Sequence, residues 1–301
     1  MNVKRTEYNN SDKQYSEIMN FLSEVEKTDS ELFWDTGRMI FWRHAIHGKK
    51  NEGDVFFAEN VKLWVENGRV IGLCISEYGR DDMFVIVLPS HTEIYDDMFD
   101  WIESTWGKDK ECIEMDVSEN DADKIKLLEK HGYQLKMHYE NLRTYDMKTI
   151  DLSYKLEDGF TIQAFYENMN FESRVEVVKS AFENNQYSKE NLLGLHSSED
   201  YVKDLDLCVV SPKGQIAAYC IGWKDKNSEH SGYIEPVGTH KDFRKRGFAS
   251  AIIKECFARM KAMGMDTVVV ASRAEPNISN FLYDSLKPIA IKRILKYTKA
   301  K

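Results

Sequence analysis

The stretch HKDFRKRGFASAIIKECFARM, His240–Met260, sets a knot of basic side chains directly before a glycine and an apolar-periodic run. The chain around it is acidic, with a formal net charge of -9 over 301 residues. After Gly247, the residues Ala249, Ile252, Ile253, Cys256, Phe257, Met260 and Met263 recur every three or four positions. That period predicts one helix with a single apolar stripe. Gly264 is placed to end it. The run DTVVVAS (Asp266–Ser272) then reads as a continuous buried strand. Strand, basic-glycine turn, helix and strand make an α/β crossover unit.

A helix start leaves backbone N–H groups unpaired and carries partial positive charge, so it favours an anion. Gly247 lets the backbone approach a ligand with no Cβ in the way. Arg244 and Arg246 can add charge-assisted bonds to phosphate oxygens, and small Ala249 and Ser250 keep the first turn open. Two readings stand on physics alone: a pyrophosphate cradle, or a solvated basic turn capping an ordinary helix. The spacing is not that of a P-loop or of a dinucleotide fingerprint, because GxxxxGK[ST] and GxGxxG are both missing.

Length is comfortable for two domains. No run of 18 or more apolar residues exists, which argues against a membrane span. The first 21 residues lack the apolar core of a secretory signal, so a cytoplasmic location is expected. Cys74, Cys112, Cys208, Cys220 and Cys256 are scattered and form no CxxC, as expected of reduced thiols. The acidic balance argues against a nucleic-acid partner and suits a cationic small substrate. His44 and His47 have helical ligand spacing but no carboxylate or Cys nearby in sequence, so no metal is expected.

The chain repeats itself loosely. Val61–Ser76 is two strand-like runs around Asn67-Gly68, and Leu205–Trp223 has the same form around Pro212-Lys213-Gly214. Strand, helix, strand and short helix follow in each half. A boundary near Thr149–Asp158 gives domains 1–149 and 150–301. At the place of the basic knot, the first half reads VLPSHTEIYDDMFDW (Val87–Trp101), with Glu93, Asp96 and Asp97 near the helix start. Such acids suit the helix dipole and repel a pyrophosphate. The aromatic run Glu31–Gly48, with Trp34, Phe41 and Trp42, is either core or the wall of an acceptor cleft.

Arg244-Lys245-Arg246-Gly247-Phe248-Ala249 fits R/Q-x-x-G-x-G/A. With YIEPVGTH before it and DTVVVAS and NISNFLYDSL after it, this region resembles the GNAT superfamily of N-acetyltransferases. The resemblance spans roughly 159–301, and the first half is similar by element order only. It implies an α/β (α+β) fold of two GNAT-like domains, each a mixed, mostly antiparallel sheet flanked by helices. The first is then a degenerate copy without a CoA loop.

The resemblance further implies acetyl-CoA as co-substrate, held where the strands at Tyr233–Thr239 and Asp266–Ala271 part. Backbone groups of Val237 and Thr239 then bond the pantetheine amides, and Gly238 permits the approach. The N–H groups of Arg246, Gly247, Phe248, Ala249 and Ser250 hold the pyrophosphate, flanked by Arg244 and Lys245. A backbone donor near a strand bulge polarises the thioester carbonyl.

Strand alternation puts Glu235 on one face with Val237 and Thr239, which aims it at an acceptor cleft. It is the candidate base, its other reading being a surface glutamate at a strand start. Tyr283, in Asn277–Tyr283, is the candidate acid for the leaving thiolate; its other reading is a core-facing helix residue. Asn277 and Asn280 contact the pantetheine arm or cap the helix. The family's LYxxxGF ending is replaced by LYDSLKPIA, with Pro288 available to stop the helix.

The function implied is acetyl transfer to the amine of a small molecule by direct attack in a ternary complex. An inactive CoA-binding sensor and a structural protein are the rival classes. A monomer or homodimer is expected, with no nucleic-acid or membrane partner.

Overall fold

A computed structural model describes residues 3–29, 31–32, 34–47, 52–198, 200–225, 228–274 and 277–300. The chain forms two compact units: Met1–Trp42 with Lys50–Glu140 and Lys292–Lys301, and Arg43–Lys49 with Asn141–Ile291.

The elements begin with β1 (Val3–Glu7), α1 (Asp12–Glu26), α2 (Thr36–Phe41), α3 (Val55–Asn60), β2 (Val61–Glu66) and β3 (Arg69–Ile75). Next come β4 (Phe84–Val87), α4 (Tyr95–Trp101), β5 (Cys112–Ser118), α5 (Ala122–Lys130) and β6 (Gln134–Asp146). The second half runs β7 (Thr161–Ala164), α6 (Phe165–Asn168), α7 (Phe171–Phe182), α8 (Lys189–His196), β8 (Asp206–Val210) and β9 (Ile216–Lys224). It closes with β10 (Ser231–Thr239), α9 (Phe248–Ala262), β11 (Thr267–Arg273), α10 (Ser279–Ser285) and β12 (Ala290–Ala300).

In the first unit, β1 to β4 form an antiparallel sheet in chain order. Asn67 and Gly68 join β2 to β3 with φ of 50° and 80°, the left-handed pair that a tight hairpin turn requires. Asp82, two residues before β4, makes one isolated parallel bridge to Glu114 of β5, and β4 and β5 lie in different sheets. β5 pairs instead with the end of the chain, from Ile294 opposite Ser118 to Ala300 opposite Cys112. Trp34 and Trp42 are buried, with ring centroids 6.2 Å apart, and Phe57 closes on Trp42 at 5.5 Å. The aromatic run is therefore core at both tryptophans.

In the second unit the strand order is β11-β10-β9-β8-β7. All pairs are antiparallel except β10 with β11. α9 lays Phe248, Ile252, Ile253, Cys256, Phe257 and Met260 into one cluster with Leu207, Cys220, Ile234, Val268 and Val270. Each large side chain so buried is worth about 1.5–3 kcal/mol before ordering costs. This packing fixes the start of α9 against the ends of β10 and β11.

Candidate active site

β10 and β11 pair only from Ser231–Thr267 to Ile234–Val270. Past that point, among the described residues, β10 keeps its ladder to β9 (Val237 to Cys220, Gly238 to Tyr219, Thr239 to Ala218) and has none to β11. One edge of Val237–Thr239 therefore faces an opening between parallel strands. An extended amide chain can pair there as a strand would.

The parting coincides with a bulge. Between Ile234 and Val237, β10 has two residues, Glu235 and Pro236, opposite the single Ile221. A bulge of this kind re-aims the residues after it. Val237 packs on the α9 cluster with Ile234, although it is three positions on. Gly238 turns to the other face, where an added Cβ would lie 2.5 Å from Tyr219 Cε1 and 2.9 Å from Ala181 Cβ. The glycine is thus required by packing against α7 and β9. Simple alternation, which grouped Glu235 with Val237 and Thr239, does not survive the bulge. The Glu235 side chain is exposed, and its carbonyl accepts a 2.6 Å bond from Trp223 Nε1.

β10 ends at Thr239, and a short turn leads to Gly247, whose φ of 79° is left-handed. Lys245 also takes a left-handed φ, 63°. An added Cβ at Gly247 meets nothing within 4 Å, so glycine is favoured there by its left-handed backbone conformation and not by packing. α9 starts with no side-chain cap. The N–H groups of Phe248, Ala249 and Ser250 are its unpaired first donors, and alternating backbone handedness before a helix forms an anion-binding concavity.

The three basic residues have different surroundings. Arg244 reaches back to the carbonyls of Thr239, Ser180 and Ala181 at 3.3–3.4 Å, tying β10 to the last turn of α7. Lys245 is exposed. Arg246 bonds Glu157 Oε2 through Nε (2.8 Å) and Nη2 (2.6 Å), among the rings of Phe160, Phe243 and Phe248.

Tyr283 projects from α10 into the same cluster as Cys220, Ile234 and Val237 and is 7% exposed. Its hydroxyl has no hydrogen-bond partner among the described residues. Burial pushes the phenol well above its ordinary value, the Glu235 carboxylate adds to this, and Arg143 opposes it. The structure thus brings Tyr283 within electrostatic range of Glu235. A phenol so raised stays protonated and serves as a hydrogen-bond donor.

α10 is pinned by a buried network. Arg143, 2% exposed, donates to Asp284 Oδ1 (2.7 Å), Ser272 Oγ (2.7 Å) and Asn280 Oδ1 (3.1 Å). Asn280 also accepts from Ser272 Oγ and donates to the Arg273 carbonyl. Both ends of its amide are thus engaged inside the protein. Asn277 accepts from the backbone N–H and hydroxyl of Ser279, while the N-cap position of α10 is Ile278, which makes no side-chain cap bond. Tyr145 donates to the Tyr283 carbonyl at 2.8 Å. Arg143 and Tyr145, both on β6, escaped sequence reasoning because nothing in their local pattern marks them. Beyond Ser285, Lys287 adopts a φ of 58°, taking the left-handed position that glycine ordinarily fills before Pro288.

Residues 173–284 match the model of the acetyltransferase (GNAT) family. The second half of this chain carries a GNAT domain. The whole chain is similar in fold to a tandem GNAT protein from the clavulanic acid biosynthesis pathway. The two share 12% identity over 99% of this chain and 98% of that one, with a TM-score of 0.68. A GCN5-related N-acetyltransferase from Sphaerobacter thermophilus is similar at 17% identity over 99% and 95%, TM-score 0.65. An acetyltransferase from the GNAT family of Colwellia psychrerythraea is similar at 10% identity over 99% and 100%, TM-score 0.62. Comparison with curated protein sequences finds no match.

The first GNAT-like unit lacks these features. Pro89–Ile94 forms a 3-10 turn where the second domain has its glycine loop. Asp97 accepts from Trp64 Nε1 (2.6 Å) and Arg5 Nε (3.0 Å), and Asp96 pairs with Lys130 and His131. Both carboxylates are held below their usual range, Asp97 by Arg5 and Asp96 by Lys130. At the parted strands, Lys124 Nζ donates to the carbonyl of Val85 at 2.7 Å. A side chain of α5 thus fills a backbone position left open on β4. Burial lowers the Lys124 pKa, against the charges of Asp121 and Asp29.

Proposed function

We propose that the second domain binds acetyl-CoA and transfers its acetyl group to the amine of a small molecule, by direct attack in a ternary complex. The observation that carries this reading is the conjunction of an uncapped, glycine-started α9 with the parting of β10 from β11. An anion site and an open strand edge lie at the two ends of one short segment, the arrangement a diphosphate joined to an extended amide arm requires. The residues fit the cofactor on chemistry as well. Phe248, Ala249 and Ser250 offer N–H donors to a diphosphate, and Val237 and Thr239 offer amide groups to a pantetheine arm.

Acetyl-CoA supplies an activated acyl group as a thioester. Around it, Glu235 takes the proton of the attacking amine, directly or through water, as the N–C bond forms. Pro236 has no N–H, so a backbone donor at the bulge comes from Glu235 or Val237. Tyr283 directs its O–H as a hydrogen bond to the sulfur as the C–S bond breaks. A thiol of pKa about 8.5 holds its proton less firmly than the raised phenol, so Tyr283 acts chiefly by hydrogen bonding, and the proton reaches sulfur from solvent. No step needs a cysteine acyl-enzyme.

The first unit supports one cofactor per chain: acids stand at its loop and Lys124 fills its strand opening. Thiol release from acetyl-CoA, followed across a panel of polyamines, aminoglycosides and amino acids, tests the reading. Turnover with at least one amine, slowed by Glu235→Gln with acetyl-CoA affinity unchanged, is the expected result. Tight binding without thiol release for any amine would favour the sensor class instead.

A further inference from the structure

A strap leads from β6 to the cradle. Residues 151–157 have neither helix nor strand structure and run along α9. Lys254 Nζ bonds Asp151 Oδ2 (3.3 Å) and the Ser153 carbonyl (2.8 Å), and Tyr154 donates to Glu255 at 2.9 Å. Leu152, Leu156 and Phe160 pack on the α9 cluster. The last polar attachment, Glu157, is made to Arg246, the arginine that directly precedes Gly247.

We infer that Glu157 competes with the diphosphate of acetyl-CoA for Arg246, and so sets how tightly the cofactor is held and couples its binding to the strap. The inference rests on the proposed function. Arg246 turns its Nε–H and an Nη2 hydrogen to one carboxylate oxygen, which cancels its charge beside the unpaired donors of α9. Phe160, Phe243 and Phe248, with centroids 4.8, 5.3 and 5.0 Å from the guanidinium carbon, hold the group in place. It therefore cannot swing to an anion without loosening Glu157. The carboxylate itself repels a diphosphate. The Arg246 side chain is 31% exposed and that of Glu157 52%, so the pair is of the weak, exchangeable kind. Coupling is reciprocal: a cofactor that draws on Arg246 frees the strap.

Calorimetric titration with acetyl-CoA at low salt tests this in wild type, Glu157→Gln, Arg246→Gln and the double variant. Glu157→Gln is expected to tighten Kd about two- to fivefold, by the range measured for exposed ion pairs. The difference should shrink at high salt and shrink again in the Arg246→Gln background, where only the direct repulsion by the carboxylate is left. Hydrogen exchange of wild type should quicken at residues 157–160 when acetyl-CoA is added, a readout that needs no variant to fold. Wild-type binding with an unchanged or weaker Kd in Glu157→Gln, or exchange at 157–160 that slows, overturns this inference alone. Absence of wild-type binding overturns the proposed function and this inference with it.

Discussion

Asn280→Ala separates two roles for a residue that the sequence assigned either to the cofactor or to a cap. In the structure Asn280 is 4% exposed and takes part in three hydrogen bonds, with Arg143 Nη2, Ser272 Oγ and the Arg273 carbonyl. Net values of about 0.5–1.5 kcal/mol for a neutral bond and 1.5–3 for one to a charged group bring the loss to about 3 kcal/mol or more. The buried Arg143 then lacks one of its partners. At about 2–4 °C per kcal/mol for a protein of 150–250 residues, the melting temperature of the second unit should fall by about 6–12 °C. Acetyl-CoA Kd, measured well below that transition, should stay within about twofold. The assay is a thermal melt paired with calorimetry. A variant that melts as wild type but binds acetyl-CoA tenfold more weakly would place the amide on the cofactor instead of in the Arg143 network.

Other outcomes follow from the same geometry. Tyr283→Phe removes a hydroxyl with no partner among the described residues, so stability should hold while kcat drops about a hundredfold, the loss of one hydrogen-bond donor to the leaving group, and the acetyl-CoA KM stays put; an unchanged kcat would remove Tyr283 from the chemistry. Gly247→Ala places a Cβ in open space but at a φ of 79°, so backbone strain of about 1 kcal/mol should appear as a lower melting temperature, with weaker acetyl-CoA binding. Lys124 has its folded-state pKa lowered by burial, so the unfolded chain binds more protons and the lysine penalises folding where it must carry charge. The stability of wild type relative to Lys124→Met should therefore rise with pH below the ordinary lysine value of 10.5 and level off above it; a flat difference by chemical denaturation would contradict the buried ammonium.

Much of the fold was legible because its signals are local. Asn67-Gly68 marks a left-handed turn wherever it occurs between apolar runs, and the three-to-four spacing after Gly247 needs no partner to be read as a helix. Gly247 before small residues marks a helix start whatever lies around it. What escaped reading depends on distant or irregular contacts. The bulge at Glu235-Pro236 offsets the two-residue period, so counting along β10 put Glu235 on the wrong set of neighbours. Gly238 is explained by Tyr219 and Ala181, which only the packed sheet brings near. The role of Asn280 depends on Arg143, 137 positions away. That of Arg246 depends on Glu157, 89 positions away. Lys287 in a left-handed conformation hides the helix end that a glycine would have shown. The pairing of β5 with the last strand is equally non-local: nothing near Ile294–Ala300 names Cys112–Ser118 as its partner.

One cofactor site per chain, at the glycine-started helix of the second domain, is what the proposed function requires. Calorimetric titration of the whole protein with acetyl-CoA tests it most directly. A stoichiometry of one per chain is expected, with binding lost in Arg246→Glu and kept in Lys124→Met. A stoichiometry of two, or no binding at millimolar acetyl-CoA, would contradict it.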